Sequence, residues 1–180
     1  MLSTLSGLLY LLGFVPYIAA ILRGESKPSK ATWIILTVLD VIALSGMVNQ
    51  GAMSGTMLAG TIGSTTVAIL ALVKGERGWS KIDQVCLGGA VIGMILWTLT
   101  HNANIAIVIT MGVMMIGAVP TLKSAWVNPL AENALAWTLY AVGCVVGLMA
   151  VTEWTVAGSL QPMVFMAIDG PICAVVWLRR

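Results

Sequence analysis

The stretch Gly13–Trp33, GFVPYIAAILRGESKPSKATW, is matched by Gly117–Trp137, GAVPTLKSAWVNPLAENALAW, at an offset of 104 residues. Gly, Val, Pro and the closing Trp hold the same places in both copies. Each copy carries the end of one apolar run, a short connection and the start of the next run. A repeated junction of this kind implies that the flanking runs are repeated as well, so its reading governs the layout of the whole chain.

Composition says what those runs are. The chain has 180 residues, 59% hydrophobic and only 9% charged, with a mean hydropathy of +0.98. A soluble domain carries about 25% charge. Apolar runs of about 20 residues follow one another along the chain, which is the mark of membrane-spanning helices. Seven are expected, over Leu2–Leu22, Ala31–Val48, Met53–Val73, Asp83–Thr100, Ala103–Leu122, Asn133–Val151 and Thr155–Leu178. The first lacks a basic leader and a small-residue cleavage site, so it reads as a retained helix and not a signal peptide. The runs do not alternate apolar with polar, which argues against an outer-membrane barrel. Lipid leaves unpaired backbone unsolvated, so helices are the economical form. The expected fold class is an all-α membrane protein.

All nine Lys and Arg residues fall on one side of this layout. Arg23, Lys27 and Lys30 follow the first run, and Lys74, Arg77 and Lys81 follow the third. Lys123 follows the fifth, and Arg179 with Arg180 follows the seventh. The other side holds polar turns such as Asn49–Gly55 and Thr100–Asn104, with Glu153. Basic residues in short loops mark the cytoplasmic face. The expectation is an integral, multi-pass protein of a bacterial inner membrane, with its amino terminus outside and its carboxyl terminus cytoplasmic.

The duplication then pairs helices 1–3 with helices 5–7 and leaves helix 4 as a linker. The expected units are a three-helix bundle over 1–74, linker helix 4 over 75–102, and a second three-helix bundle over 103–180. A single linking helix makes the halves parallel, related by an axis along the membrane normal. Such repeats enclose a solute site at their interface near the midplane.

This 3+1+3 layout, the outside amino terminus and the repeated Pro16 and Pro120 resemble the SWEET/PQ-loop transporter superfamily. The resemblance covers the whole chain in architecture and a few residues in motif. It implies transport by alternating access, hinge roles for Pro16 and Pro120, and a third helix lying between the first and second. Tyr17 and Thr121 stand where the family's PQ motif has Gln, and helices 2 and 6 contain no proline. Sugar-transporting members carry a pocket Asn on the third and seventh helices; here the pair at the repeat offset is Thr65 and Asp169.

Read for their own chemistry, Pro16 and Pro120 lack an N–H and so leave the carbonyls of Leu12 and Ile116 without a helical partner. Such a carbonyl can bend the helix, bind water or meet a solute. Pro171 does the same for Ala167, beside Asp169. Asp40 and Asp169 each stand nine residues from the basic end of their runs. At 1.5 Å per residue both lie roughly 14 Å deep, near the midplane. An Asp there costs at least about 2.5–3.5 kcal/mol on insertion scales, so it is expected to face a cavity or a partner. No Lys or Arg lies at that depth to pair with it. A carboxyl so placed can take up and release a proton as a cavity opens to alternate sides. The structural alternative is a neutral Asp bonded to a nearby hydroxyl or carbonyl, for which Thr37 and the carbonyl of Ala167 are candidates.

Gln161 lies eight residues before Asp169, near the same helix face, and is a further solute-binding candidate with Tyr140. Gly60, Thr61, Gly63, Ser64, Thr65 and Thr66 crowd together and read first as helix packing, with Thr65 and Thr37 kept as further solute- or proton-binding candidates. The seven Trp residues lie near helix ends or in loops, as an interfacial aromatic belt requires, and Trp33 with Trp137 is assigned a belt or packing role. His101 belongs to an outer turn. Cys86, Cys144 and Cys173 lack the spacing of a disulfide framework or zinc site. No hydrolase, metalloprotease, P-loop or dinucleotide fingerprint is found, so no enzyme activity, cofactor or metal is expected. The expected partners are a small-molecule solute, protons and the lipid bilayer, with no nucleic acid; a homo-oligomer is left open. Two carboxylates without a buried cation disfavour an anionic solute. The reading is a transporter of a small neutral or cationic polar molecule, such as an amino acid, an amine, a vitamin-like compound or a sugar. The alternative is a seven-helix receptor or sensor of the same fold.

Overall fold

Each helix after the first starts at a residue that can cap it. In the computed structural model, which describes all residues apart from the side chain of Ala131, seven α-helices form among the described residues. They are α1 (Leu2–Arg23), α2 (Lys30–Asn49), α3 (Gly55–Lys74), α4 (Lys81–Thr100), α5 (Ala103–Val127), α6 (Ala134–Met149) and α7 (Val156–Leu178). The side chains of Ser29, Ser54, Ser80, Asn102, Asn133 and Thr155 accept hydrogen bonds from backbone N–H groups of α2 to α7. These groups would otherwise be unpaired in the first turn. At Ser80 the cap is reciprocal, because Asp83 returns a bond to the Ser80 backbone. α1 ends on Gly24 at φ 79°, where the left-handed conformation favours glycine and lets its N–H reach the last carbonyls.

Six of the seven helices are long and apolar enough to cross a membrane. Large side chains such as Leu8, Leu12, Ile69 and Leu99 lie exposed on the outer surface. The chain is an all-α, multi-pass integral membrane protein. Apart from an isolated bridge between Ser29 and Glu76, no β-structure occurs among the described residues.

Two helices differ from the lengths expected. α5 continues past Leu122 to Val127, placing Lys123 inside it, and stops at Asn128 before Pro129. Proline disfavours helical backbone in the residue before it. A short 3-10 turn, Pro129–Ala131, then leads to α6, which has only 16 residues. At 1.5 Å per residue it spans about 24 Å, less than a bilayer's apolar thickness of about 30 Å.

Close contacts give the helix directions. A Cβ added to Gly7 or Gly55 would meet the facing helix, so α1 and α3 are together where both begin. Lys74 donates to the carbonyl of Leu22 at 2.8 Å, joining them where both finish. Arg179 donates to the carbonyl of Trp126, so the last turns of α5 and α7 are also neighbours. α6 meets α1 in the opposite sense, Gly143 against Ser6 and Tyr10. In the same way the end of α2 meets the start of α5, Gly46 against Ala103 and Ile107. α3 packs on both α1 and α2, α7 packs on both α5 and α6, and α4 lies against α5 and α2. The two ends of the bundle are thereby defined: one carries the starts of α1, α3, α5 and α7, the other their finishes and the basic residues.

Candidate functional site

At the end where α1 and α3 begin, the backbones touch. A Cβ on Gly55 would overlap the carbonyl of Ser3, and one on Gly7 would lie 2.7 Å from the carbonyl of Gly55. The Gly55 N–H donates to the Ser3 hydroxyl at 2.9 Å. On the α6 side, a Cβ on Gly143 would stand 3.2 Å from both the Ser6 carbonyl and the Tyr10 nitrogen. Small residues are what allow such approach between membrane helices. Thr56 and Gln161 fill the middle of this end, both fully buried, with the Thr56 hydroxyl donating to Gln161 Oε1 at 3.1 Å. Gln161 Nε2 has no acceptor among the described residues.

The other half of the bundle is hollow. A cavity of about 970 Å³ reaches inward from the basic end, with Glu25, Ser26, Glu132, Asn133 and Arg180 around its mouth. Asp40 and Asp169 both line its wall, although their residues are only 6% and 5% exposed. The Ser64 hydroxyl donates to Asp40 Oδ2 at 2.6 Å. Asp169 Oδ2 accepts from the Tyr10 hydroxyl at 3.1 Å and from the Cys144 thiol at 3.4 Å. Cys144 stands 104 residues after Asp40, the offset of the repeat. One carboxyl thus joins α2 to α3 and the other joins α6 to α7. Neither carboxyl meets a Lys or Arg within ion-pair distance among the described residues.

Aromatic rings cover much of the wall. Tyr10 packs on Tyr140 with centroids 4.7 Å apart and stacks on Phe165 at 5.6 Å. Phe14 meets Tyr140 edge-on at 5.2 Å, and Tyr17 stacks on Trp33 at 5.5 Å. Trp137 closes the series against Tyr140 at 5.7 Å, and its Nε1–H donates to Glu132 at 2.9 Å. All seven of these rings line the cavity. Trp33 and Trp137, read from the sequence as belt or packing residues, line the cavity. Their matched places in the repeat were the available signal. Tyr10, Phe14, Phe165, Ser64 and Cys144 went unrecognised, since nothing local separates them from packing residues.

The chain matches no protein-family model, no curated protein and no solved structure. The resemblance to SWEET/PQ-loop transporters consequently rests on the repeat and the prolines alone.

The structure brings some of the expected site residues together and not others. Asp40, Asp169, Tyr140 and Pro16 line the cavity. Thr37 instead donates to the carbonyl of Trp33 at 2.8 Å, and Thr65 to that of Thr61 at 2.6 Å, each on its own helix. Gln161 lies in the closed end. Pro120 and Pro171 are exposed on the outside of α5 and α7, although Thr121 next to Pro120 reaches the cavity. α7 holds a second internal proline, the buried Pro162. A third buried carboxyl, Asp83, is accounted for by its cap and by a 2.7 Å bond from Thr32. At the mouth, the hydrogen bond and charge of Arg23 hold the Glu25 carboxyl below its usual range, so it stays anionic at neutral pH.

Proposed function

We propose that the protein is a membrane transporter of a small neutral or cationic polar solute, working by alternating access. One observation carries this reading: a cavity open at one end, walled by two buried carboxyls, and sealed at the other end by glycine contacts. A site reachable from one side only is one half of an alternating cycle. The complementary state would part α1 from α3 and α6 at the glycine contacts and close the aromatic wall over the mouth. Pro16, on the cavity, is the natural flexing point of α1.

The 3+1+3 arrangement is part of the same proposal, with bundles over 1–74 and 103–180 and α4 as linker. The packing of α3 on α1 and α2, matched by that of α7 on α5 and α6, supports it. So do the reciprocal contacts of α1 with α6 and α2 with α5, as a two-fold axis between the halves requires. The basic end is assigned to the cytoplasm by the positive-inside rule, which makes the present state inward-open. Proton uptake and release at Asp40 or Asp169 is the proposed coupling, since both are held by neutral donors and neither by a cation.

Uptake into proteoliposomes under an imposed pH gradient tests this reading. Solute accumulation that follows the gradient is the expected result. Saturable binding without net flux would overturn transport and leave a receptor of the same fold. Labelling of single cysteines should find Ser29 and Ser80 cytoplasmic and Asn102 external; a cytoplasmic Asn102 would overturn the orientation.

A further inference from the structure

We propose that the solute held in this cavity is an alkylated organic ammonium ion, recognised jointly by carboxylates and aromatic rings. The inference rests on the reading of the cavity as a solute site and gives that solute a chemical class. Its first support is the distribution of charge. The chain carries seven Asp and Glu against nine Lys and Arg, yet four carboxyls line the cavity: Glu25, Asp40, Glu132 and Asp169. Among the described residues Arg180 is the one basic residue on that wall. A protein with a net charge of +2 thus gathers four of its seven carboxyls around one cavity. Glu25 is paired with Arg23 at the mouth, and walls of low dielectric concentrate the field of the others on the solute.

The second support is the kind of polar group present. Tyr10, Cys144 and Ser64 already donate to the two deep carboxyls. The deep wall otherwise offers chiefly ring faces and edges, from Tyr10, Phe14, Tyr140 and Phe165, with Trp33 nearer the mouth. A strongly hydrated ion such as sodium would give up its water there for few oxygen ligands. An alkylated ammonium is weakly hydrated and needs no acceptor for an N–H. Aromatic rings attract it through their negative faces, most strongly where water is excluded. A carboxylate behind the rings adds long-range attraction without requiring a direct hydrogen bond. Tyr10 unites the two, bonding Asp169 through its hydroxyl while its ring packs on Tyr140 and Phe165.

Binding to the purified full-length protein is the test, using tetramethylammonium, choline, tetraethylammonium and benzyltrimethylammonium. The control is 3,3-dimethyl-1-butanol, the neutral carbon isostere of choline. At least one cation of the series should bind, and choline should exceed its isostere by about tenfold, equivalent to about 1.4 kcal/mol. Tyr140→Phe keeps the ring and should leave affinity within about threefold, whereas Tyr140→Leu should lower it by about tenfold, as loss of a desolvated cation–π contact requires. Because Tyr140 also packs on Gly13, Trp33→Phe and Trp33→Leu provide a second pair, with thermal stability measured for each. Equal affinity for choline and its isostere, or equal effects of Phe and Leu at both positions, would overturn the inference. So would absence of binding across the series. Uptake separates it from the transport reading. Accumulation of a neutral solute without ammonium binding leaves transport standing and removes this inference; tight ammonium binding without flux does the reverse.

Discussion

Where α1 and α3 begin, Gly7, Gly55 and Gly143 let three helices touch backbone to backbone. Towards the basic end Tyr10, Phe14, Tyr17, Trp33 and Tyr140 wall a cavity of about 970 Å³, although α1 and α3 meet again where Lys74 donates to the Leu22 carbonyl. One end is closed where glycines let backbones touch, and the other holds a cavity walled by large rings. The closed end keeps a strained account: Gln161 is fully buried and its Nε2 lacks an acceptor among the described residues. At the open end, the two deep carboxyls have their hydrogen bonds. The glycine end therefore holds by close packing, with Gln161 Nε2 left unpaired inside it.

Bulk at the glycine end should break the comparison most severely. Gly55→Val places side-chain atoms on the Ser3 carbonyl, and overpacking of a tight contact costs about 1–3 kcal/mol or more. We expect a large fall in the thermal midpoint of the detergent-solubilised protein. An unchanged midpoint would show that the contact between α1 and α3 is dispensable.

The open end is probed next, through function and not stability. Asn is close in shape to Asp and still accepts bonds from Ser64 and Tyr10, but it has no carboxyl proton to exchange. The double variant Asp40→Asn, Asp169→Asn should keep its fold and lose pH-driven uptake by about a hundredfold or more, the size of effect typical when a positioned proton-transfer group is removed. Full pH-driven uptake by this variant would reject coupling through these residues and redirect attention to Tyr140 and Ser64.

Smaller effects sharpen the contrast. Thr56→Val removes the donor to Gln161 Oε1 and leaves a second buried amide atom unpaired, which should cost about 1–3 kcal/mol. If the thermal midpoint of Thr56→Val instead matches the parent, the buried pair contributes nothing to closure. Smallest of all is Gly112→Ala on α5, where an added Cβ meets no atom within 4 Å. In an unobstructed helix Ala is favoured over Gly by up to about 1 kcal/mol, so the midpoint should stay level or rise slightly. A clear fall would mean that this face of α5 is covered by a partner, such as a second copy of the chain.

Much of this was legible from the residues. Hydropathy located the seven helices to within a few residues, and the distribution of Lys and Arg placed the basic ends together. Insertion cost picked out Asp40 and Asp169, and both line the cavity. The length of α5 escaped because Lys123–Val127 is more polar than the run before it, while the true stop is set by Pro129. Trp33 and Trp137 escaped because a Trp near a helix end suits a lipid interface and a cavity mouth equally well.

The sequence by itself determined the helices, their number and the sorting of charge to one end, because hydropathy, capping and insertion cost act locally along the chain. Only the tertiary structure decided which neighbour each polar side chain meets. Successive residues turn by about 100° around a helix, so Ser64 reaches Asp40 while the adjacent Thr65 bonds back to Thr61. In the same way Asp169 finds Tyr10, far away in the chain, and Gln161 is enclosed away from the cavity. Those outcomes depend on the rotation and approach of whole helices, which glycine contacts at one end and aromatic bulk at the other impose together.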